Sequence, residues 1–395
     1  MQNTVPFLNI VDPGFRADSE DVERAREVSW YARTPLGIVV LRYHHVVAFL
    51  KDGRLHSGTS TLLKLRGVED GPLQDWWRNV VLNTNGEQHT RLRRLVAKTF
   101  TPPSVDALRP FMRATAERLV DAFADAGACE FVEAFADPYP LAVICELLGI
   151  PEERRADFGG WAAELSSIFS PDIAALRERV ERALAALYAC VDEVIAERKR
   201  AARDDLVSAL VRAEDDGDRL TTEELRSMLV TLVFAGNDTT RNQLGRALVV
   251  MAGRSDLWGQ LAREPRRAAT MVDHIMRIAP ALVSSARIVS EDLDIGDLHL
   301  PKGTFVQLLL SSGNRDAAVF GEPDPDMERE LPEPHLTFGG GMHRCLGMWL
   351  ARAELEEALR ILARRMPNLA PAGEPTWGPG LGIVGPRTVP LAFSR

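Results

Sequence analysis

One long helical segment constrains this chain more than any other feature. Thr221-Thr222-Glu223-Glu224 has the form of a capping box, with Thr221 as N-cap and Glu224 at the third helical position. The pattern it opens runs to Gly253, which predicts a helix on the order of 45 Å long. Leu229, Leu232, Val233 and Phe234 leave it apolar on most faces, so it should pass through the centre of the molecule. Its middle does not fit that pattern. Ala235-Gly236-Asn237-Asp238-Thr239-Thr240 is rich in poor helix formers, and an acid in an apolar helix is costly unless it is paired or working. On the residues alone, this turn is either a solvent-facing polar patch or a functional site.

A second stretch, Phe338-Gly339-Gly340-Gly341-Met342-His343-Arg344-Cys345-Leu346-Gly347, holds the one cysteine whose surroundings look arranged for chemistry. Consecutive glycines stabilise neither helix nor strand, but they permit positive φ and close backbone approach. After Cys345 the pattern turns helical, with Ala351, Leu355, Ala358, Leu359 and Leu362 on one face and Met366-Pro367 at the end. A cysteine where a tight loop enters a helix meets free N–H groups and the positive end of the helix dipole, which favour a thiolate. Inert packing of the thiol would leave the glycines, His343 and Phe338 unexplained. A closed zinc site would be hard to complete, because Cys129, Cys145 and Cys190 lie far upstream and form no Cys-x-x-Cys pair.

Composition narrows the class. A chain of 395 residues, 46% hydrophobic and 26% charged, is long enough for a large core, and no Pro-, Gly- or Ser-rich linker divides it. The expectation is one domain over residues 1–395. Met1 to Pro6 lacks the marks of a signal peptide, no apolar run reaches the roughly 18 residues that span a bilayer, and four scattered cysteines suit a reducing cytosol. A cytoplasmic protein without a membrane partner is expected. The net charge of −9 disfavours nucleic acid as the main partner.

Along the chain, Pro35 to Arg42 reads as a strand and His44 to Leu50 as a short helix. Leu55 to Val81 is irregular, and the Trp76-Trp77 pair in it suits a core at least as well as a ligand. Gly86 to Leu95 is a basic helix in which His89 and Arg93 share a face. From Pro103 to Arg203 helix follows helix, with starts at Pro103, Pro140, Pro151 and Pro171 and a basic end at Arg198-Lys199-Arg200 that complements a helix dipole. Ala281 to Val289 is extended, and Gly378 to Pro390 reads as a hairpin.

These motifs, in this order from about Pro35 onward, resemble the cytochrome P450 superfamily. Phe-Gly-x-Gly-x-His-x-Cys-x-Gly matches the family's heme-binding loop through Phe338, His343, Cys345 and Gly347, and Ala-Gly-x-Asp-Thr-Thr matches its oxygen-activation turn. The resemblance implies a mainly α fold with a smaller β-rich part, a triangular helical prism around heme b (iron protoporphyrin IX). Cys345 would be the proximal thiolate ligand, with Phe338 packed beside its sulfur. His89, Arg93, Arg287 and His343 would bond the propionates, Ala235 and Gly236 would make room for heme and dioxygen, and Asp238 and Thr239 would relay protons. Substrate contacts would include Trp77, Phe234, Val283, Ser284 and Ile383. Electrons would come from NAD(P)H through a ferredoxin and its reductase, received on a basic face of Arg91, Arg94, Lys98, Arg344 and Arg352. The implied reaction is monooxygenation of a hydrophobic or aromatic small molecule, in the manner of bacterial secondary metabolism. Oxidative coupling of aromatic rings, as in Trp-derived cyclic dipeptides, and a non-catalytic heme- or ligand-binding role are the other readings. One motif departs from the family: His274 stands where Glu-x-x-Arg has its Glu, Asp273 is one residue off, and Arg277 would normally bond that Glu together with Arg329. A less stable heme core is expected from that exchange.

Overall fold

The computed structural model describes residues 5–203, 205–215, 220–322, 327–378 and 380–394. Its axis is the helix Thr222–Ala252, 31 residues long, on which Pro138–Leu148, Arg155–Ser166 and Ile173–Arg200 pack. The capping box forms as expected: Glu224 N–H donates to Thr221 Oγ1 at 3.1 Å, and Thr221 N–H to Glu224 Oε2 at 2.9 Å. Glu224 also pairs with Arg91, which ties the first turn of this central helix to the basic helix Gly86–Ala97. The helix after the cysteine, Met348–Arg365, packs on Arg109–Asp121, Ser255–Arg263 and Ala268–Ile278 and also contacts the central helix. Leucine, valine and aromatic side chains from all of these form the largest core cluster.

The β-rich part is small. A five-stranded sheet has the order Tyr31–Thr34, Gly37–Val40, Phe305–Leu308, Ser285–Val289, Leu55–Ser57. All its pairings are antiparallel except Gly37–Val40 with Phe305–Leu308. Gly37 is required there, since a Cβ would sit 2.1 Å from the Phe305 carbonyl oxygen. The helix Tyr43–Lys51 covers this sheet through Val46, Phe49 and Leu50, a second core cluster with Val306 and Leu308.

Several expectations needed revision. The stretch from Leu55 to Val81 contains the strand Leu55–Ser57 and the helices Thr59–Leu65 and Pro72–Asn79. Its amphipathic signal is hidden by Gly67 and Gly71, both at positive φ and outside the helices. The third helix of the Pro103–Arg203 series begins at Pro138, so Pro140 lies inside its first turn, where a missing N–H is harmless. Arg198 does more than complement a dipole: it is buried, paired with Asp205, and donates to the Gly149 carbonyl at 2.8 Å. The C-terminal hairpin pairs only Thr376–Trp377 with Pro386–Thr388. The strand Pro390–Ala392 turns instead to Ala128–Glu130 and Ala370–Pro371. Among the described residues, no helix is long and apolar enough to cross a membrane.

Candidate active site

The glycine loop is shaped by its own backbone. Gly339 and Gly341 both have φ near +63°, and a Cβ on Gly341 would meet the Leu50 carbonyl oxygen at 2.1 Å. Only glycine fits a backbone pressed that closely against the end of a neighbouring helix. The loop closes through the Cys345 N–H, which donates to the Phe338 carbonyl at 2.8 Å. Cys345 is exposed at its surface, while the surrounding protein pushes its thiol above the ordinary value. The Gly347 N–H, Arg93 and Arg344 act in the opposite direction and favour the thiolate. Phe338 is half-buried, with its ring 5.3 Å from that of His335. Among the described residues there is no group of three or more His, Cys, Asp or Glu side chains arranged to hold a metal ion.

Beside this thiol lies a concentration of uncompensated positive charge. Arg287 is 5% exposed and donates to Ser285 Oγ at 2.7 Å and the Ala286 carbonyl at 2.9 Å. Burial alone pulls it down to about 10, and no carboxylate of the described residues pairs with it. Arg93 reaches the Arg344 carbonyl at 2.5 Å and is lowered by burial. His343 is pushed down to about 3, first by burial and then by Arg287, His89, Arg93 and His56, and its Nδ1 is buried without a partner. Its Nε2 lies 3.4 Å from Asn85 Oδ1. Asn85 went unnoticed in the sequence, where it reads only as the residue before a helix. His89 stacks edge-on against His343 at 4.5 Å, but its two nitrogens face the carbonyls of Val81 and Met342, each at 2.9 Å. A neutral imidazole can donate to only one of them, and neither nitrogen points to an outside ligand. An exposed thiol beside two guanidinium groups without carboxylate partners and a neutral imidazole suits a flat, dianionic, iron-bearing cofactor, and heme fits these donors with Arg287, Arg93 and His343 as partners for its carboxylates.

The anomalous turn of the central helix provides an open face. Between buried Phe234 and buried Thr240, Ala235 is exposed and Gly236, Asp238 and Thr239 are half-buried. Thr239 Oγ1 donates to the Ala235 carbonyl at 2.6 Å, which leaves its lone pairs directed outward. Burial pushes the Asp238 carboxyl up to about 6, against the pull of Arg241 and Asn242. Arg241 is held by Asp137, and Asn242 donates to the Asp238 carbonyl at 2.8 Å. Gly236 serves a different end from the one expected: a Cβ there would lie 3.1 Å from Ile144 Cδ1, so its smallness brings Pro138–Leu148 close rather than opening the site.

Most of the expected substrate contacts are packed away. Trp77 is 1% exposed and Phe234 4%, and with Trp76 and Phe169 they form an aromatic cluster of edge-on and tilted rings 5.5–6.1 Å apart. Phe169 was missed because nothing in its local sequence signals a reach to residue 77. Val283 is buried in the N-terminal cluster with Leu8, Phe305 and Val384. Ser284 Oγ accepts the Gly382 N–H at 3.1 Å. Ile383 is half-buried and pairs with Leu282 in an isolated β-bridge, and of the five it is the least enclosed. The basic face is also reduced, since Arg91 pairs with Glu224 and Arg352 with Asp273, while Lys98 and Arg344 are exposed.

His274 is buried and its Nε2 lies 2.7 Å from the Arg329 carbonyl, to which it donates. That bond joins the same two segments that a Glu would have joined by charge. Arg277 donates to the Asn314 carbonyl at 3.1 Å and lies over Phe320. Asp273 serves Arg352 at 2.8 Å instead of replacing the Glu.

Comparison with known proteins agrees with this geometry. The cytochrome P450 family model matches residues 161–366. Luteothin monooxygenase of Streptomyces thioluteus is 38% identical over 98% of this chain and 96% of its own. Mycinamicin IV hydroxylase/epoxidase of Micromonospora griseorubida is 33% identical over 95% and 93%. The structure of cytochrome P450 CYP109Q5 from Chondromyces apiculatus superposes with a TM-score of 0.87 at 32% identity, covering 99% of each chain. P450BioI, solved in complex with an acyl carrier protein ligated to hexadec-9Z-enoic acid, gives 0.86 at 31% identity, covering 94% of this chain and 97% of its own. The family match over more than half of the chain, with relatives 38% and 33% identical over nearly their whole length, establishes that the chain belongs to the cytochrome P450 family of oxidoreductases.

Proposed function

We propose that this protein inserts one oxygen atom of dioxygen into an apolar small molecule of bacterial secondary metabolism. The observation that carries the reading is the exposed Cys345 thiol beside Arg93, Arg287 and His343, for which the described residues provide no balancing acid. Heme b would be held through the Cys345 sulfur, with its propionates on Arg287, Arg93 and His343. Bound there, heme supplies dioxygen activation and one-electron chemistry, while the protein supplies position, protons and electrostatics. The Gly347 N–H and the nearby guanidinium groups favour the charged sulfur against the opposing effect of burial. Ala235 leaves the helix face open. Asp238, its carboxyl pushed up to about 6, can hold a proton and donate it as a hydrogen bond to the Thr239 hydroxyl, which relays charge only by turning from the Ala235 carbonyl and handing on its own proton. The aromatic cluster of Trp76, Trp77, Phe169 and Phe234 keeps water from that side.

Electrons would arrive from NAD(P)H by way of a ferredoxin and its reductase. Exposed Lys98 and Arg344, with Trp349 at 40% exposure beside the cysteine helix, suit an acidic carrier. A single domain in the cytoplasm completes the reading. Purified protein should show a heme-thiolate absorption band that shifts on reduction under carbon monoxide. Turnover of a polyketide-like substrate under labelled dioxygen should add one labelled oxygen to the product. A colourless protein, or a product that has lost hydrogens without gaining oxygen, overturns this assignment.

A further inference from the structure

Two helical turns beyond Thr239, on nearly the same side of the central helix, stands a cation that the reaction does not use. Arg246 is 5% exposed, and its Nε is buried without a hydrogen-bond partner. Among the described residues no carboxylate lies within ion-pair distance of its guanidinium; burial lowers it to about 10, with only the more distant Asp18 pulling the other way. Its neighbours are better provided. Arg16 holds Asp18 at 3.1 Å, and Arg315 has Glu23 at 3.7 Å and the Ile278 carbonyl at 3.0 Å. Arg246 has instead the face of Trp377, 5.4 Å from the ring centroid, and Arg16 approaches the same ring at 5.8 Å. A guanidinium carries five N–H donors in a fixed fork and keeps its charge at any ordinary pH, so it demands acceptors that the surrounding chain does not offer.

We propose that Arg246 and Arg16, set around Trp377, form a binding site for a small oxyanion, a carboxylate or a phosphate. The site lies where the C-terminal hairpin rests on the central helix. A Cβ on Gly245 would come within 2.6 Å of Pro386, and one on Gly385 within 2.2 Å of Asn242 Oδ1, so helix and hairpin are already in close contact. Trp377 belongs to one strand of that hairpin, and the chain between its strands pairs Ile383 with Leu282. An anion bridging Arg246 and Arg16 would hold the hairpin on the helix and so set the position of Ile383. Asp18, already bonded to Arg16, takes up part of that guanidinium's fork and leaves Arg246 as the stronger partner for the anion.

The test is thermal unfolding of the heme-loaded protein at constant ionic strength, with inorganic phosphate or acetate replacing chloride. Expected is a rise in Tm of about 2 °C at saturation, with a change in tryptophan fluorescence at the same midpoint. Arg246→Gln should lose both signals, and Arg16→Gln, altered at a half-exposed position, should raise the midpoint about tenfold. The anion with the lower midpoint identifies the source as carboxylate or phosphate. An equal rise in wild type and Arg246→Gln would reduce the effect to general salt stabilisation and overturn the site, as would no response to either anion. If Arg246→Gln does not fold, Arg246→Lys keeps the charge but not the fork. It must then weaken binding about tenfold, and an unchanged midpoint overturns the proposal.

Discussion

The two walls of the site are made differently. The proximal wall, from Phe338 to Gly347, is a backbone structure: positive φ at Gly339 and Gly341, a Cβ-free contact with Leu50, and a hydrogen bond from the Cys345 N–H to the Phe338 carbonyl. The distal wall is made of side chains, with Ala235 and Thr239 open and, next in the same helix, Phe234 interlocked with the Trp77 and Phe169 rings. Backbone geometry admits few substitutions, whereas packed rings can be exchanged for others of similar volume. The proximal wall should therefore fail abruptly when altered, and the distal wall should change what it accepts.

The largest effect is expected at Cys345. Cys345→Ser should abolish the heme-thiolate spectrum and turnover, as read by absorption under carbon monoxide and by product formation. Asp238→Asn should slow turnover about 100-fold with the spectrum retained. It also carries a sign in pH. The Asp238 carboxyl is raised from 3.8 to about 6, so the folded state holds a proton that the unfolded chain releases. Wild type should therefore lose stability as pH rises from 3.8 through about 6, and Asp238→Asn should remove that loss; equal melting profiles would break the account of this acid. Gly341→Ala should cost about 3 kcal/mol and release heme, because both φ and the Leu50 carbonyl oppose a side chain. His274→Ala should cost about 1–2 kcal/mol by leaving the Arg329 carbonyl without its donor. The smallest effect belongs to the distal wall: Phe169→Leu should leave the spectrum unchanged and alter which ligands shift the heme band. A lost spectrum in that variant would erase the contrast between the walls.

How much could be read from sequence follows the same division. The cysteine loop, the capping box and the Asp238-Thr239 turn are contiguous, and each local rule points to the structure found. Arg287 and Arg93 were legible through the resemblance, yet their lack of acidic partners appears only when the strand Ser285–Val289 and the helix Gly86–Ala97 are brought together. Trp77, Phe234 and Val283 were misjudged for the opposite reason. An apolar side chain beside a cavity and one facing the core behind it have the same sequence signature. Burial separates them, and burial depends on residues such as Phe169 and Leu8 that lie far away in the chain. His274 looked like a missing brace because charge was the only feature compared. The carbonyl of Arg329 supplies what an acid would have, with the donor and acceptor reversed.

The pairing of Glu224 with Arg91 couples two faces of the molecule that are otherwise far apart in function. Glu224 closes the first turn of the central helix, while Arg91 rides on the helix that presents Arg93 to the cradle. A visiting protein that drew Arg91 toward its own acids would loosen the start of the helix whose middle handles protons.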